Sequence, residues 1–177
     1  MIQFVSGPRM ALIGSILVAT VGCDQLTKFI AHATMRHSHG RIPIAGDLFY
    51  LQYAENRGGF LSLGASLPES ARFWLLTVFT GAILTGIAYV LLTNRGLSRT
   101  DVISLGLLLS GGVGNLIDRV FRDGTVVDFM VMGVGPVRTG VFNIADVAVM
   151  AGIFLLFASK LFSPAAEEGV VHGTQDS

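Results

Sequence analysis

The chain has 177 residues, of which 51% are hydrophobic and only 14% charged, and its mean hydropathy is +0.65. In a typical soluble domain about a quarter of the residues are charged, so this chain has roughly half the usual share of charged residues. Twelve Lys and Arg balance twelve Asp and Glu, which excludes the basic excess typical of nucleic-acid binders. A single cysteine, Cys23, excludes an internal disulfide framework and a multi-cysteine zinc site. We predict a small integral membrane protein that forms one membrane domain over 1–177.

Four apolar stretches are long enough to cross a bilayer. A spanning helix needs about 20 mostly apolar residues, and its backbone must satisfy its own hydrogen bonds in lipid. The predicted spans are about 10–30, 73–93, 102–121 and 141–162. The predicted fold is therefore all-α, a four-helix transmembrane bundle with both termini on one side. The polar tail, about 165–177, is expected to be disordered.

The connection between the first and second spans, about 31–72, is longer than a simple turn requires. Within it, 42–44 and 48–53 are rich in β-prone residues and are bounded by glycines. We predict a small β-sheet and loop that cap the bundle at the membrane surface.

Polar residues fall at the ends of three predicted spans. Because neighbouring spans run in alternate directions, these residues should meet at one face of the membrane, beneath the long loop. Ionisable residues within spans are costly and mark functional sites. The residues are Asp24 and Lys28 in the first span, Asn115, Asp118 and Arg119 in the third, and Asn143 and Asp146 in the fourth.

Each group also has a purely structural interpretation. Asp24 and Lys28 are four residues apart and can form a local ion pair, or they can shape the site. Asp118 and Arg119 are most simply a structural charge pair, with a contribution to the site as the alternative. Small residues at four-residue steps, Gly106, Ser110 and Gly114, favour close approach of another helix.

Asp128 and Asp146 are the most informative pair. A chain reversal near 135–136 would bring the two carboxyls face to face. Asp128 could instead be an ordinary loop residue, although its neighbours are apolar. Asp146 could be a first-turn residue favoured by the helix dipole, with Asn143 as the N-cap.

Two facing carboxylates have a known chemical use. About 4 Å apart, at an effective dielectric near 20, two charges repel by roughly 4 kcal/mol, which corresponds to about three pK units. One carboxyl therefore keeps its proton near neutral pH, and the pair holds an acid beside a base. This is aspartic-protease chemistry, and it needs no metal. The dipole of the fourth helix favours Asp146 as the charged member.

Five ordered segments resemble the motifs of bacterial lipoprotein signal peptidase, also called signal peptidase II. The resemblance covers about 22–148 of the chain. Each motif alone is weak, but five in this order on a four-span chain are highly specific. The segments are DQLTK at 24–28, ENRG at 55–58, GGVGNLIDR at 111–119, VVDF at 126–129 and FNIAD at 142–146.

The resemblance implies a metal-independent aspartyl endopeptidase that requires no cofactor. Its substrates would be prolipoproteins that carry diacylglycerol, cut just before the lipidated cysteine, and membrane lipid would be its other partner. The implied catalytic residues are Asp128 and Asp146. The implied supporting or substrate-binding residues are Asp24, Lys28, Asn56, Gly58, Asn115, Asp118, Arg119 and Asn143.

The resemblance also implies a location in the bacterial inner membrane, with cytoplasmic termini and a periplasmic active site. We further expect a monomer. Charge counting favours the opposite orientation, since eight Lys and Arg fall on the long-loop side and four on the terminal side. Composition alone leaves the orientation open. One local departure from the family pattern is Phe60, which follows Gly59 directly.

Three other functions fit parts of the pattern. A proton-coupled transporter also places polar residues in spans, although usually near the midplane. A metal-dependent membrane hydrolase could use four carboxylates as oxygen ligands. A non-enzymatic assembly factor would tolerate neutralisation of either member of the dyad. The carboxylates of the metal alternative are Asp24, Asp118, Asp128 and Asp146.

Overall fold

A computed structural model describes residues 5–37, 40–59 and 63–162. Four helices in it are long and apolar enough to cross a membrane. They are α1 (Gly7–Met35), α2 (Glu69–Thr93), α3 (Arg99–Phe121) and α4 (Ile144–Leu161). The predicted four-span bundle is confirmed. The predicted tail at 165–177 and the departure at Phe60 lie outside the described residues.

The helix ends differ from the predicted spans for local reasons. α1 has 29 residues, about 43 Å at 1.5 Å per residue, so it extends beyond a hydrocarbon core of about 30 Å. α4 begins at Ile144 because Asn143 caps it. α2 contains a π-helical stretch, Phe73–Phe79, whose aromatic side chains are exposed. Exposed aromatic residues near the end of a span are typical of the lipid–water interface.

A four-stranded antiparallel sheet lies over one end of the bundle. Its order is β1 (Ile42–Ala45), β2 (Phe49–Asn56), β3 (Val126–Val134) and β4 (Val137–Arg138). The two strands predicted in the first long loop are confirmed. The cap is larger than predicted, because the chain between α3 and α4 supplies the other two strands.

The predicted reversal near 135–136 is the β3–β4 hairpin. Gly135 adopts φ +56° in its turn, a conformation that costs glycine little. β2 and β3 pair along their length, with a bulge between Leu51 and Ala54. Beyond the bulge Ala54 faces Asp128 and Asn56 faces Val126, so the pairing carries Asn56 to the same end of the sheet as Asp128.

α3 lies against both α1 and α4, and small residues make this possible. A Cβ atom at Gly106 would lie 3.3 Å from the side chain of Ile16 in α1. A Cβ at Gly114 would lie 2.7 Å from Oδ2 of Asp24, and Ser110 is fully buried. The predicted small-residue stripe is therefore confirmed as a packing surface, and it delivers the end of α3 to the buried polar residues of α1.

We expect Gly111→Ala to destabilise the bundle. A Cβ at this position would collide with the backbone oxygen of Ala145 in α4, and overpacking of a filled interior costs about 1–3 kcal/mol. Gly86→Ala is the matched control, because a Cβ at Gly86 meets nothing within 4 Å. Thermal unfolding in detergent should show a lower midpoint for Gly111→Ala only. Equal midpoints for the two variants would contradict this packing.

Candidate active site

Lys28 is the centre of a buried ionic cluster beneath the sheet. Its Nζ lies 2.8 Å from Oδ2 of Asp24 and 3.2 Å from Oδ2 of Asp118, and all three side chains are 0% exposed. Its third partner is Oδ1 of Asn115, at 2.9 Å. The predicted pair of Asp24 and Lys28 is present, but it is more than a local pair, because it joins α1 to α3.

Main-chain donors complete the cluster. The backbone N–H of Ala145 donates to Oδ1 of Asp24 at 2.9 Å, and that of Val127 donates to Oδ2 of Asp118 at 3.1 Å. Burying two carboxylates around one ammonium is costly unless their remaining oxygens are satisfied. These bonds provide that satisfaction, and they tie the start of α4 and the start of β3 to the same cluster.

Asp118 and Arg119 have different partners, so the simple charge-pair interpretation of these neighbours is incomplete. Asp118 contacts Lys28 and also Nε of Arg122, at 3.5 Å. Arg119 donates from Nη2 to the backbone oxygen of Gly58 at 3.0 Å. Adjacent residues point about 100° apart around a helix. Asp118 therefore joins the buried cluster, whereas Arg119 holds the loop that follows β2.

Asn143 connects Asp128 and Asp146. Its Nδ2 donates to Oδ1 of Asp128 at 2.6 Å, and its Oδ1 accepts from the backbone N–H of Asp146 at 2.9 Å. Oδ2 of Asp146 accepts in return from the backbone N–H of Asn143 at 3.2 Å. The predicted N-cap is therefore present as a reciprocal capping box. The cap and the carboxyl pair are one arrangement rather than alternatives.

Two more asparagines hold the carboxyls. Asn115 donates from Nδ2 to Oδ1 of Asp146 at 2.9 Å, and Asn56 donates from Nδ2 to Oδ2 of Asp128 at 3.0 Å. The oxygen of Asn115 accepts from Lys28 and from Asn143. Because an ammonium can only donate, Lys28 fixes the orientation of this amide and turns its NH₂ group toward Asp146.

Asp128 has a perturbed acidity. Burial raises its pKa to about 6, with the charge of Asp146 as the second cause, while the donors Asn56 and Asn143 act in the opposite direction. A carboxyl beside another carboxylate in a buried site keeps its proton more readily. The arrangement can therefore present one protonated and one ionised carboxyl near neutral pH.

Both carboxyls line a cavity of about 720 Å³. Asn56, Asn115 and Arg119 line its polar side. The side formed by α4 is apolar and lies below the dyad; it is lined by Val147, Met150, Ala151 and Phe154. The cavity can hold a ligand that has a polar part at the carboxyls and an apolar part along the span.

The loop after β2 closes the polar side of the cavity. Oδ1 of Asn56 accepts from the N–H of Gly58 at 2.9 Å, and its Nδ2 donates to the oxygen of Gly59 at 3.2 Å. Arg119 holds Gly58 from the other side, and its own Nε is buried without a hydrogen-bond partner among the described residues. The loop and Arg119 therefore present polar atoms to a ligand in the cavity.

All ten site residues predicted from the sequence lie in this assembly, either in the buried cluster, around the carboxyls or in the loop. Two further residues of the site were not predicted from the sequence. Gln25 bridges Asp24 and Asp118 through Nε2, at 3.1 and 3.3 Å, and its position beside Asp24 was the available signal. Arg138 lines the cavity and is held over Tyr50. Its place depends on strand pairing, which the sequence did not reveal.

The metal-dependent alternative needs the four carboxylates to converge. Within the described ranges, no group of three His, Cys, Asp or Glu side chains could hold a metal ion. The ammonium of Lys28 stands between Asp24 and Asp118. The charges of Asp24 and Asp118 are therefore balanced by the ammonium of Lys28, which occupies the place that a divalent metal ion would need.

We expect Lys28→Met to destabilise the fold strongly. Removing the cation leaves two buried carboxylates without their partner, which costs about 3–5 kcal/mol. Lys160→Met is the control, since Lys160 pairs with Asp101 at 3.3 Å but is 68% exposed, and exposed pairs contribute about 0–1 kcal/mol. Thermal unfolding in detergent should separate the two variants. Equal unfolding temperatures would contradict the central role of Lys28.

We expect Asp128→Asn to stabilise the fold more at pH 8 than at pH 4. The pKa of Asp128 is raised from 3.8 to about 6, so the folded state binds more protons than the unfolded state between these values. Stability from this group is present below about pH 4 and is lost as the pH rises through 6. The asparagine variant avoids this loss, which is about 3 kcal/mol at most.

The measurement is the unfolding temperature of the variant minus that of the wild type at both pH values. The difference should grow from pH 4 to pH 8. Asp47→Asn is the control, because the side chain of Asp47 is 90% exposed, and its difference should be flat. A flat difference for Asp128→Asn as well would contradict the raised pKa.

Comparison with known proteins identifies the family. The family model described as Signal peptidase (SPase) II matches residues 16–162. The chain is 34% identical over 163 residues to a lipoprotein signal peptidase of Geobacillus thermodenitrificans, covering 92% of this chain and 98% of that protein. It is 38% identical over 140 residues to one from Sphingopyxis alaskensis, covering 78% of each chain.

Solved structures agree with this result. A bacterial membrane enzyme determined by the in meso method at 1.9 Å resolution superposes with a TM-score of 0.76 at 26% identity, covering 92% of this chain and 99% of that one. A second, at 2.3 Å resolution, gives 0.75 at 26% identity, covering 85% and 88%. The membrane bundle, the carboxyl pair beside the cavity and these relatives lead to one conclusion: the chain belongs to the signal peptidase II family.

Proposed function

We propose that Asp128 and Asp146 are the catalytic dyad with which this signal peptidase II removes signal peptides from prolipoproteins. One observation carries the proposal: the two carboxyls line the same cavity and are joined through Asn143. The raised pKa of Asp128 supports it, because a pair that shares one proton supplies both an acid and a base.

The positions of the two residues favour distinct roles. Asp146 lies in the first turn of α4, where the helix dipole favours a negative charge, so it is the base. Asp128 holds the shared proton and is the acid. A water molecule attacks the scissile carbonyl carbon while Asp146 takes a proton from it. Asp128 protonates the carbonyl oxygen at the same time, which yields a tetrahedral diol.

Collapse of the diol completes the reaction. The C–N bond breaks as Asp146 returns its proton to the departing nitrogen, which becomes the amino group of the cysteine. Asp128 recovers its proton from a hydroxyl of the diol, and the new signal-peptide carboxyl forms. One water is consumed, and the dyad ends in its starting protonation state. No metal or other cofactor takes part in this scheme.

Six of the remaining predicted residues position the dyad. Asn56, Asn115 and Asn143 fix the carboxyl orientations by donated hydrogen bonds. The cluster of Lys28, Asp24 and Asp118 holds the helices and β3 from which the dyad projects. These are positioning residues, since they act through the carboxyls or through the fold.

The shape of the cavity suits a lipidated substrate. The scissile peptide lies extended at the polar side, where the loop of Gly58 offers backbone partners. The acyl chains of the modified cysteine lie along the apolar side formed by α4. The Nε of Arg119 has no partner among the residues that the structure describes, and its N–H donates to a carbonyl or acidic group of the substrate. Arg119→Ala with intact folding and full cleavage would contradict this last role.

The family places the enzyme in the inner membrane. Within that membrane we propose that the termini are cytoplasmic, that the sheet and the dyad face the periplasm, and that residues 1–177 act as one membrane domain and as a monomer. The site supports the monomer, because all ten predicted site residues come from one chain.

We expect Asp128→Asn and Asp146→Asn each to lower cleavage by about 10²–10⁴-fold, the usual contribution of general acid–base catalysis. The assay is loss of the signal peptide from a diacylglyceryl-modified prolipoprotein in detergent, with chelator present throughout. Asp123→Asn is the matched control, because Asp123 is exposed and does not line the cavity of the dyad. It should cleave as the wild type does.

Thermal unfolding of each variant separates loss of chemistry from loss of folding. Full cleavage by either folded dyad variant would overturn the assignment. Loss of wild-type activity in the presence of chelator would instead support the metal-dependent hydrolase.

A further inference from the structure

A second cavity, of about 320 Å³, lies where α1 begins and α2 turns into α3. Its lining consists of Val5, Ser6, Arg9 and Arg95. Two of these four residues carry positive charge and none carries negative charge. This lining differs from that of the cavity beside Asp128 and Asp146. The second cavity lies at the opposite end of α1 from the buried ionic cluster.

Two of the three guanidinium nitrogens of Arg9 have no acceptor among the residues that the structure describes. Its Nε and Nη2 are buried and make no hydrogen bond within the part of the chain that the structure describes. Buried polar groups nearly always have a partner, and a buried charge without one is costly. These two nitrogens are therefore available to an acceptor that the described residues do not supply.

The backbone holds this cavity in shape. The N–H of Val5 donates to the oxygen of Leu92 at 3.2 Å, which fixes the entry to α1 against the end of α2. The side chain of Asn94 accepts from the N–H of Gly96 at 2.9 Å, which closes the turn that carries Arg95. The site is therefore formed before any ligand arrives.

The start of α1 adds to the positive potential. Its N-cap, Ser6, makes no side-chain capping bond, and the first turn contains no acidic residue. The positive end of the helix dipole is therefore uncompensated by a side chain, and such helix ends favour anions. Two arginines and this helix end converge on one small cavity.

We propose that this cavity binds the phosphate group of an anionic phospholipid. The guanidinium fork matches the geometry of phosphate oxygens. The cavity lies where an apolar span ends, which is the level of lipid headgroups, and basic pockets between spans bind anionic headgroups. Met10 and Tyr89, near the same end of α1 and α2, are exposed and offer apolar surface to the acyl chains.

The test measures lipid binding by the full chain in nanodiscs of zwitterionic phosphatidylcholine. Phosphatidylglycerol is added at increasing fractions, and the unfolding temperature is recorded. The wild type should gain stability as the anionic fraction rises. Arg9→Gln should bind phosphatidylglycerol about tenfold more weakly, as expected when a charge-assisted hydrogen bond is lost. Arg95→Gln, at an exposed position, should weaken binding in the same direction.

Arg99→Gln is the matched control, since it removes the same charge at the same end of the bundle but does not line the cavity. It should bind phosphatidylglycerol as the wild type does. All variants should cleave prolipoprotein normally in zwitterionic nanodiscs, which shows that they are folded. Equal phosphatidylglycerol binding by Arg9→Gln, Arg95→Gln and Arg99→Gln would overturn the proposal. Inorganic phosphate forms a separate arm, and full stabilisation by free phosphate with none by phosphatidylglycerol would overturn the lipid assignment.

Discussion

The buried ammonium of Lys28 is the constraint on which the rest of the structure depends. It neutralises carboxylates from two helices and fixes the amide of Asn115, which in turn holds Asp146. The same carboxylates accept from the backbone of β3 and of α4. A single charge cluster therefore sets both the spacing of the helices and the position of the dyad. Such a cluster contributes little net stability against an apolar core, but it specifies one arrangement of the elements that carry the chemistry.

The proposed active site uses ordinary helix-capping geometry. Asn143 and Asp146 form a reciprocal capping box, the same device by which Ser98 and Asp101 begin α3. At α3 the box starts the helix, and its Asp101 also pairs with Lys160 of α4. At α4 the cap uses Oδ1 of Asn143, and its Nδ2 donates to Asp128. The capping residue therefore links the two carboxyls. The bonds that cap α4 therefore also fix Asn143, which holds Asp128.

The sequence predicted the bundle and the convergence of its polar residues, because span length and alternating direction are sufficient for both. It also predicted β1 and β2 from composition. It did not predict that β3 and β4 complete the sheet, because a continuous apolar run such as 126–134 lacks the alternation that marks a strand. The separate partners of Asp118 and Arg119 depend on helix rotation against neighbours. The link through Asn143 and the cavity along α4 are tertiary features that residue spacing does not encode.

We propose that Asp128 and Asp146 share one proton, held mainly by Asp128. Infrared spectroscopy of the detergent-solubilised enzyme tests it directly, through the carbonyl stretch of a protonated carboxyl followed across pH. We predict a carbonyl band that disappears as the pH rises through about 6. The band should be absent in Asp128→Asn. In Asp146→Asn it should disappear at a lower pH, because the neighbouring charge is gone. A band near pH 6 that persists unchanged in Asp128→Asn would contradict it.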